Sequence, residues 1–242
     1  MKSLIRYIFL LAVKYLCRLF YSFNVEWPTG DRKVRWNDIK LLILLNHTSL
    51  YEFLYLGILP NSFIRKLSKR LVVPAADKTL KRPVVGTFFK MFTPGMISIT
   101  RKRDDSWANF LDSIYEDSMI FIAPEGRMMR KGGLDLEGNK MTVRGGVADI
   151  IAGLNSGQMV LAYSGGLHHI QVPGETFPRF FKKLKMKIET YEIPEYKSLF
   201  KSAAGSDEWK KEVLNDMQHR LETKPPGKNR PFKKQKNKTA ED

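Results

Sequence analysis

An apolar run, Leu41-Leu42-Ile43-Leu44-Leu45, passes directly into Asn46-His47-Thr48-Ser49-Leu50-Tyr51-Glu52 and then into a second apolar run, Phe53 to Leu59, stopped at Pro60. The first run is short and apolar at every position, the pattern of a strand buried on both faces of a parallel sheet. The second run is apolar all round and reads as a buried helix. Together they set His47 at a strand's C-terminal end and Glu52 in the first turn of the following helix. Ligands bind along that edge in open α/β sheets.

A histidine beside a carboxylate can take a proton from a hydroxyl, because the carboxylate fixes the ring tautomer and stabilises the imidazolium that forms. Ser49-x-x-Glu52 is also a capping box, in which Glu52 satisfies only a free backbone N–H. The two roles are compatible, since a glutamate folded back toward the N-cap lies near the loop that carries His47.

The rest of the chain repeats the strand–helix alternation. Short strands are expected at Leu71–Ala75, Met96–Thr100, Ser118–Ala123 and Met159–Tyr163, and Lys185–Tyr191 alternates like an edge strand. Residues 61–70 read as a basic connector. Helices are expected after Asp104 or Asp105, with Trp107, Phe110, Leu111 and Ile114 inward, from Val147 to Leu154, and from Asp207 to Glu222. This predicts a single α/β domain, with a mostly parallel central sheet flanked by helices and a late antiparallel strand. At 242 residues the chain is long enough for one full core.

Residues 1–23 are apolar apart from Lys2, Arg6, Lys14 and Arg18, which share one broad helical sector. The apolar run from Tyr7 to Val13 is too short to span a bilayer, and no small-x-small cleavage site follows. This predicts an interfacial helix with its apolar face among acyl chains and its cations at anionic headgroups. The turn Trp27-Pro28-Thr29-Gly30-Asp31 closes it, giving a membrane-associating segment (1–27), a body (28–223) and a basic tail (224–242) poor in apolar residues.

A net charge of +16 implies a polyanionic partner. A nucleic-acid-binding protein would leave residues 1–23 unexplained, and the chain carries neither zinc-ligand spacing nor an aromatic RNA-binding signature. Cys17 is the one cysteine, so internal disulfides and cysteine-based metal clusters are excluded. His168-His169 has no further ligand cluster in sequence, so no metal site is expected. Two strand ends and one helix start collect functional residue types: Arg101 with Lys102 and Arg103, Pro124-Glu125-Gly126-Arg127, and, after a long polar loop, Arg144-Gly145-Gly146 opening a helix. Glycines there let backbone N–H groups approach an anion.

These motifs, in this order, resemble the lysophospholipid (1-acylglycerol-3-phosphate) acyltransferase family. Asn46-His47 through Glu52 is similar to its catalytic His-x4-Asp motif. Lys78, Leu80, Pro83 and Gly86, followed by Gly95 through Ile99 to Arg101, are similar to its second block. Pro124-Glu125-Gly126-Arg127 is similar to its Phe-Pro-Glu-Gly-Thr-Arg motif, and Val143-Arg144-Gly145 to its Lys-x-Gly segment. Glu52 stands where aspartate is usual, as in the related lipid A acyltransferases. The third motif here lacks its threonine, and the fourth strand lacks its proline.

The resemblance implies transfer of an acyl chain from acyl-CoA or acyl carrier protein to a lipid hydroxyl, with His47 as general base and Glu52 orienting it. Arg101, Glu125, Gly126 and Arg127 would hold the acceptor, the two arginines on its phosphate, with Lys78 and Arg144 beside them. A thiolate leaves readily, so neither metal nor bound cofactor is implied. The lysophospholipid acceptor would come from an anionic membrane, reached from the cytoplasmic face of the cell membrane. Acceptors of other kinds (glycerol-3-phosphate, a lipid A precursor, a lysolipid without phosphate) fit the same motifs, as does an inactive lipid-binding scaffold.

Overall fold

The computed structural model describes residues 2–81, 83–100, 104–130, 132–172, 175 and 177–227. Helix α1 (Lys2–Phe20) runs into strand β1 (Tyr21–Glu26), and β2 (Ile39–Leu45) follows. A 3-10 helix (Leu50–Ile58) leads to α2 (Asn61–Arg70), β3 (Leu71–Ala76), the short α3 (Asp77–Leu80), α4 (Pro83–Phe92) and β4 (Gly95–Ile99). Then come α5 (Ser106–Asp112), β5 (Met119–Ile122), α6 (Gly146–Gly153), β6 (Gln158–Ser164), β7 (Lys182–Glu192), α7 (Ile193–Lys197) and α8 (Asp207–Thr223).

The strands form one sheet in the order β1-β7-β6-β2-β5-β3-β4. Strands β2 to β6 are parallel to one another. β7 runs antiparallel to β6, and β1 parallel to β7. This is the α/β domain expected from the strand–helix alternation. The C-terminal ends of all five parallel strands share one edge, so Asn46, Asp77, Thr100, Ala123 and Gly165 begin the loops there.

Alternate residues of the central strands feed two cores, as a strand apolar at every position requires. Leu41, Ile43 and Leu45 pack with Phe110, Val147, Ile151, Trp209, Val213 and Met217 from α5, α6 and α8. Ile39 and Leu44 pack with Leu10 and Cys17 of α1, Leu54 of the 3-10 helix and Phe63, Ile64 and Leu67 of α2.

Four expectations are corrected. Residues 61–70 are helix rather than connector, because Phe63, Ile64 and Leu67 make one buried stripe. The run Phe53–Leu59 lies mostly in the 3-10 helix and not in an α-helix. Residues 21–26 leave the N-terminal segment and join the main sheet, so β7 has a neighbour on each side and is not an edge strand. The fourth correction is the roll of α1. Lys14 is buried, with its Nζ 2.5 Å from Asn61 Oδ1, and Arg6 reaches Ser68 O at 3.0 Å. Burial holds the Lys14 ammonium below its ordinary pKa. These two cations therefore face the body, each with a donor on an acceptor from α2. The outward face carries Leu4, Ile5, Ile8, Leu16 and Leu19, with Lys2 and Arg18 exposed at its margins. Among the described residues no helix is long and apolar enough to cross a membrane.

Candidate active site

β2 ends in a turn that only a few residue types accept. Asn46 has φ of 69°, a left-handed conformation that asparagine tolerates better than most L-residues. Its side-chain amide donates to Ser164 O at 2.7 Å, tying the turn to the end of β6. The two amides left free by the turn, Asn46 N and His47 N, donate to Glu125 Oε1 and Oε2 at 2.6 and 2.7 Å. Leu167 N donates to Thr48 Oγ1 at 2.8 Å, and Met129 N to His47 O at 2.8 Å. The loop bearing the histidine is thus held by the ends of both neighbouring strands.

Glu52 holds the imidazole and a backbone N–H together, the N–H being that of Thr48, one residue before the Ser49 cap. Its Oε1 accepts Thr48 N at 2.8 Å, and its Oε2 is hydrogen-bonded to His47 Nδ1. Ser49 caps the 3-10 helix by accepting Tyr51 N, and its hydroxyl donates to Gln171 Oε1 at 2.9 Å. A carboxylate only accepts, so Nδ1 carries the ring proton and Nε2 keeps its lone pair. His47 is half-buried and Glu52 nearly covered. Burial lowers the imidazole pKa, but the charge and hydrogen bond of Glu52, with the charge of Glu125, raise it above its ordinary value.

Two cavities meet at His47. A cleft of about 480 Å³ lies along the sheet edge, bounded by Ala75, Thr79, Ile99, Trp107, Pro124, Gly126, Arg127, Arg144 and Gly146. A second cavity of about 250 Å³ runs between the 3-10 helix and the sheet. Its wall is apolar: Trp36, Leu42, Leu44, Phe53, Leu56, Phe92, Val160, Ala162 and Ile188, among others. Leu50, Val73, Phe89, Met96 and Phe121 border both.

The other residues expected at the site take different positions. Glu125 is buried, does not line the cleft, and has both oxygens on loop amides, so it holds the turn. Burial pushes its carboxyl up to about 7, opposed by the nearby His47 and by the two amides. Arg127 lines the cleft but is paired with Asp135 and, at 2.6 Å, with Glu137. Asp135 in turn accepts Glu137 N and Asn139 N at 2.9 and 2.8 Å, so Arg127 braces the loop after β5. Gly126 turns with φ of 62°, and a Cβ there would stand 3.1 Å from Arg144 Cδ. Arg144 lines the cleft with Nε 3.2 Å from Glu125 O and has no carboxylate partner among the described residues. Lys78 lies in α3, beyond the end of β3. Arg101 lies outside the described residues. His168 and His169 each bond a main-chain carbonyl, Met129 O and Lys183 O.

Sequence reasoning missed the apolar cavity and the loop-holding role of Glu125. A glutamate one residue after a Pro in a turn gives no sign of which amides it will meet. Glu125→Gln tests that role. An amide has one accepting oxygen for two N–H groups, which leaves one buried donor unmatched at a cost of about 1–3 kcal/mol. The expected outcome is a lower melting temperature together with a lower kcat. A variant with wild-type melting and turnover would show that the turn does not depend on this carboxylate.

Comparisons with known proteins bear on the same region. The sequence model of the Acyltransferase family matches residues 29–162, more than half of the chain, with the loop that carries His47, β5 and Arg144 inside it. No curated protein matches the sequence. Among solved structures, the chain is similar to the 1-acyl-sn-glycerophosphate (LPA) acyltransferase PlsC of Thermotoga maritima, at 18% identity and a TM-score of 0.46, over 90% of this chain and 82% of that one. The family match, over more than half of the chain and a region that contains the His47–Glu52 pair and most of the cavity lining, shows that the chain belongs to the acyltransferase family.

Proposed function

We propose that this protein transfers an acyl chain from a thioester, acyl-CoA or acyl carrier protein, to the hydroxyl of a lysophospholipid at a membrane surface. The observation that carries the reading is His47, whose Nε2 has no partner among the described residues, standing where a cleft lined in part by Arg127 and Arg144 meets an apolar cavity. The acceptor hydroxyl loses its proton to Nε2 as its oxygen attacks the thioester carbonyl. Glu52 stabilises the imidazolium, and the C–S bond then breaks. The thiolate leaves and takes the proton from the imidazolium, returning the ring to its starting state. The reaction is balanced without a metal or resident cofactor. The apolar cavity suits an acyl chain, because its wall offers almost no polar partner.

The acceptor is most simply 1-acylglycerol-3-phosphate, its phosphate on the cationic side of the cleft. The outward apolar face of α1 supports attachment to the leaflet facing the thioester pool, the cytoplasmic one. The test is transfer of a radiolabelled acyl chain from acyl-CoA or acyl carrier protein to a panel of lysolipids by the purified protein. Accumulation of diacyl product with a phosphate-bearing acceptor is expected; no product with any lysolipid would end the proposal.

The cavity reading makes its own forecast. Ala162→Leu fills part of the apolar cavity and should shift the preferred donor toward shorter chains, while a short donor keeps its rate. An unchanged chain-length profile in a variant that melts normally would remove the cavity from the mechanism.

A further inference from the structure

The segment Phe177–Lys183 presents apolar surface that the fold does not use. Phe177 and Phe181 are 80% and 78% exposed. Phe181 has φ of 56°, a left-handed conformation in which an aromatic L-residue is strained. Its N–H donates to Phe20 O at 2.8 Å, which fixes this bend against the C-terminal end of α1. Phe180 packs on Phe20 and Tyr21, with ring centroids 5.1 and 6.3 Å apart. The core gains little from rings directed to solvent, and the backbone is strained where one of them is held. Leu16 and Leu19 on the outer face of α1 are also exposed, and Phe20 joins that helix end to the segment through Phe180 and Phe181. Phe20, Phe180 and Phe181 thus join the end of α1 and this segment in one apolar area, with exposed Phe177 three residues before Phe180 in the chain.

Charge identifies what covers it. Lys182 and Lys183 are exposed directly beside the rings, with no acidic partner among the described residues, and Arg18 is exposed on the adjoining turn of α1. Aromatic side chains flanked by lysines match the boundary between acyl chains and anionic headgroups. We infer that Phe177, Phe181, Lys182 and Lys183 form a second membrane contact, which docks on anionic lipid beside α1. This rests on the reading of α1 as membrane-facing and adds to it a defined orientation: two contacts fix the rotation of the domain about the helix, where one would leave it free.

The test is flotation of the full chain with vesicles of phosphatidylcholine containing phosphatidylglycerol, and with vesicles of phosphatidylcholine alone. Phe177→Ser combined with Phe181→Asn removes both rings. Asparagine accepts the left-handed conformation, so melting should be unchanged or higher. The expected result is a loss of vesicle affinity of about ten- to hundredfold. Lys182→Gln with Lys183→Gln should weaken binding to the anionic vesicles and flatten its salt dependence, with little effect on neutral ones. A Leu4→Ser, Ile8→Ser variant of α1 separates the two readings. If it loses binding while the Phe variant binds as wild type, the second contact is refuted and the α1 reading stands. If neither variant loses binding, both fail. If the Phe variant floats normally but loses use of acyl carrier protein as donor, the area docks an acidic protein and the inference is overturned.

Discussion

Replacing His47 by alanine is expected to lower acyl transfer by about 10²–10⁴-fold while the melting temperature holds, because the change removes the base and leaves the loop's backbone bonds in place. The more informative variant is Glu52→Gln. Its oxygen can still accept Thr48 N, so the loop keeps that tie. The amide NH₂ then faces His47 Nδ1 as a donor, which turns Nδ1 into the acceptor and leaves the proton on Nε2. A ring in that tautomer cannot take a proton from the acceptor hydroxyl, and a loss of about 10²-fold or more is expected from tautomer control alone. The pH profile supplies an independent sign. Glu52 raises the His47 pKa, and the base works only when neutral, so the wild-type rate rises as pH climbs through a value above that of an ordinary histidine. Removing the anion lowers that pKa, and the rising limb should move toward lower pH. Glu52→Asp keeps the charge on a shorter arm and should retain part of the rate. Near-normal turnover of Glu52→Gln with an unmoved limb would leave Glu52 as a cap and take it out of the mechanism.

The parts legible in the sequence are those where the chemistry is local. The run Leu41–Leu45 had to be a strand covered on both faces, and β2 lies at the middle of the sheet order. Ser49 and Glu52 lie within one turn of His47, so the cap and the dyad could both be anticipated. What escaped depends on partners far along the chain. β1 is a short polar-apolar alternation whose strand character comes from pairing with β7, about 160 residues later by the register Tyr21 with Lys182. The stripe of Phe63, Ile64 and Leu67 in α2 has the helical period, but four of its ten residues, Arg65, Lys66, Lys69 and Arg70, drew attention to charge instead. For α1 the sequence defines two faces without saying which one meets the body. That choice is settled by Asn61 and Ser68, whose oxygens receive Lys14 and Arg6. The pairing of Arg127 was hidden for a related reason: proximity to a strand end does not tell which guanidinium an acidic loop residue will already occupy.

Arg144→Gln is therefore expected to have the second large effect, a rise of about 10- to 100-fold in the KM for a phosphate-bearing acceptor, with the thioester KM nearly unchanged. Arg127→Gln should act chiefly on melting temperature, since its guanidinium is committed to Asp135 and Glu137. The distinction follows from what each cation has left to offer. A guanidinium whose Nη1 already meets two carboxylates has its charge offset there and attracts a phosphate less. Arg144 uses Nε on a main-chain oxygen and meets no carboxylate among the described residues, so its forked N–H groups remain for an anion in the cleft. Arg144→Lys keeps the charge but loses the two parallel bonds, and should fall between wild type and Arg144→Gln. Kinetics on matched lysolipids with and without phosphate isolate the term, because only the phosphate-bearing acceptor should respond. If the donor KM rises in Arg144→Gln and the acceptor KM does not, the anion held there belongs to the thioester. If wild-type enzyme acylates both acceptors equally well, no phosphate is recognised in the cleft, and Arg144 is part of its wall.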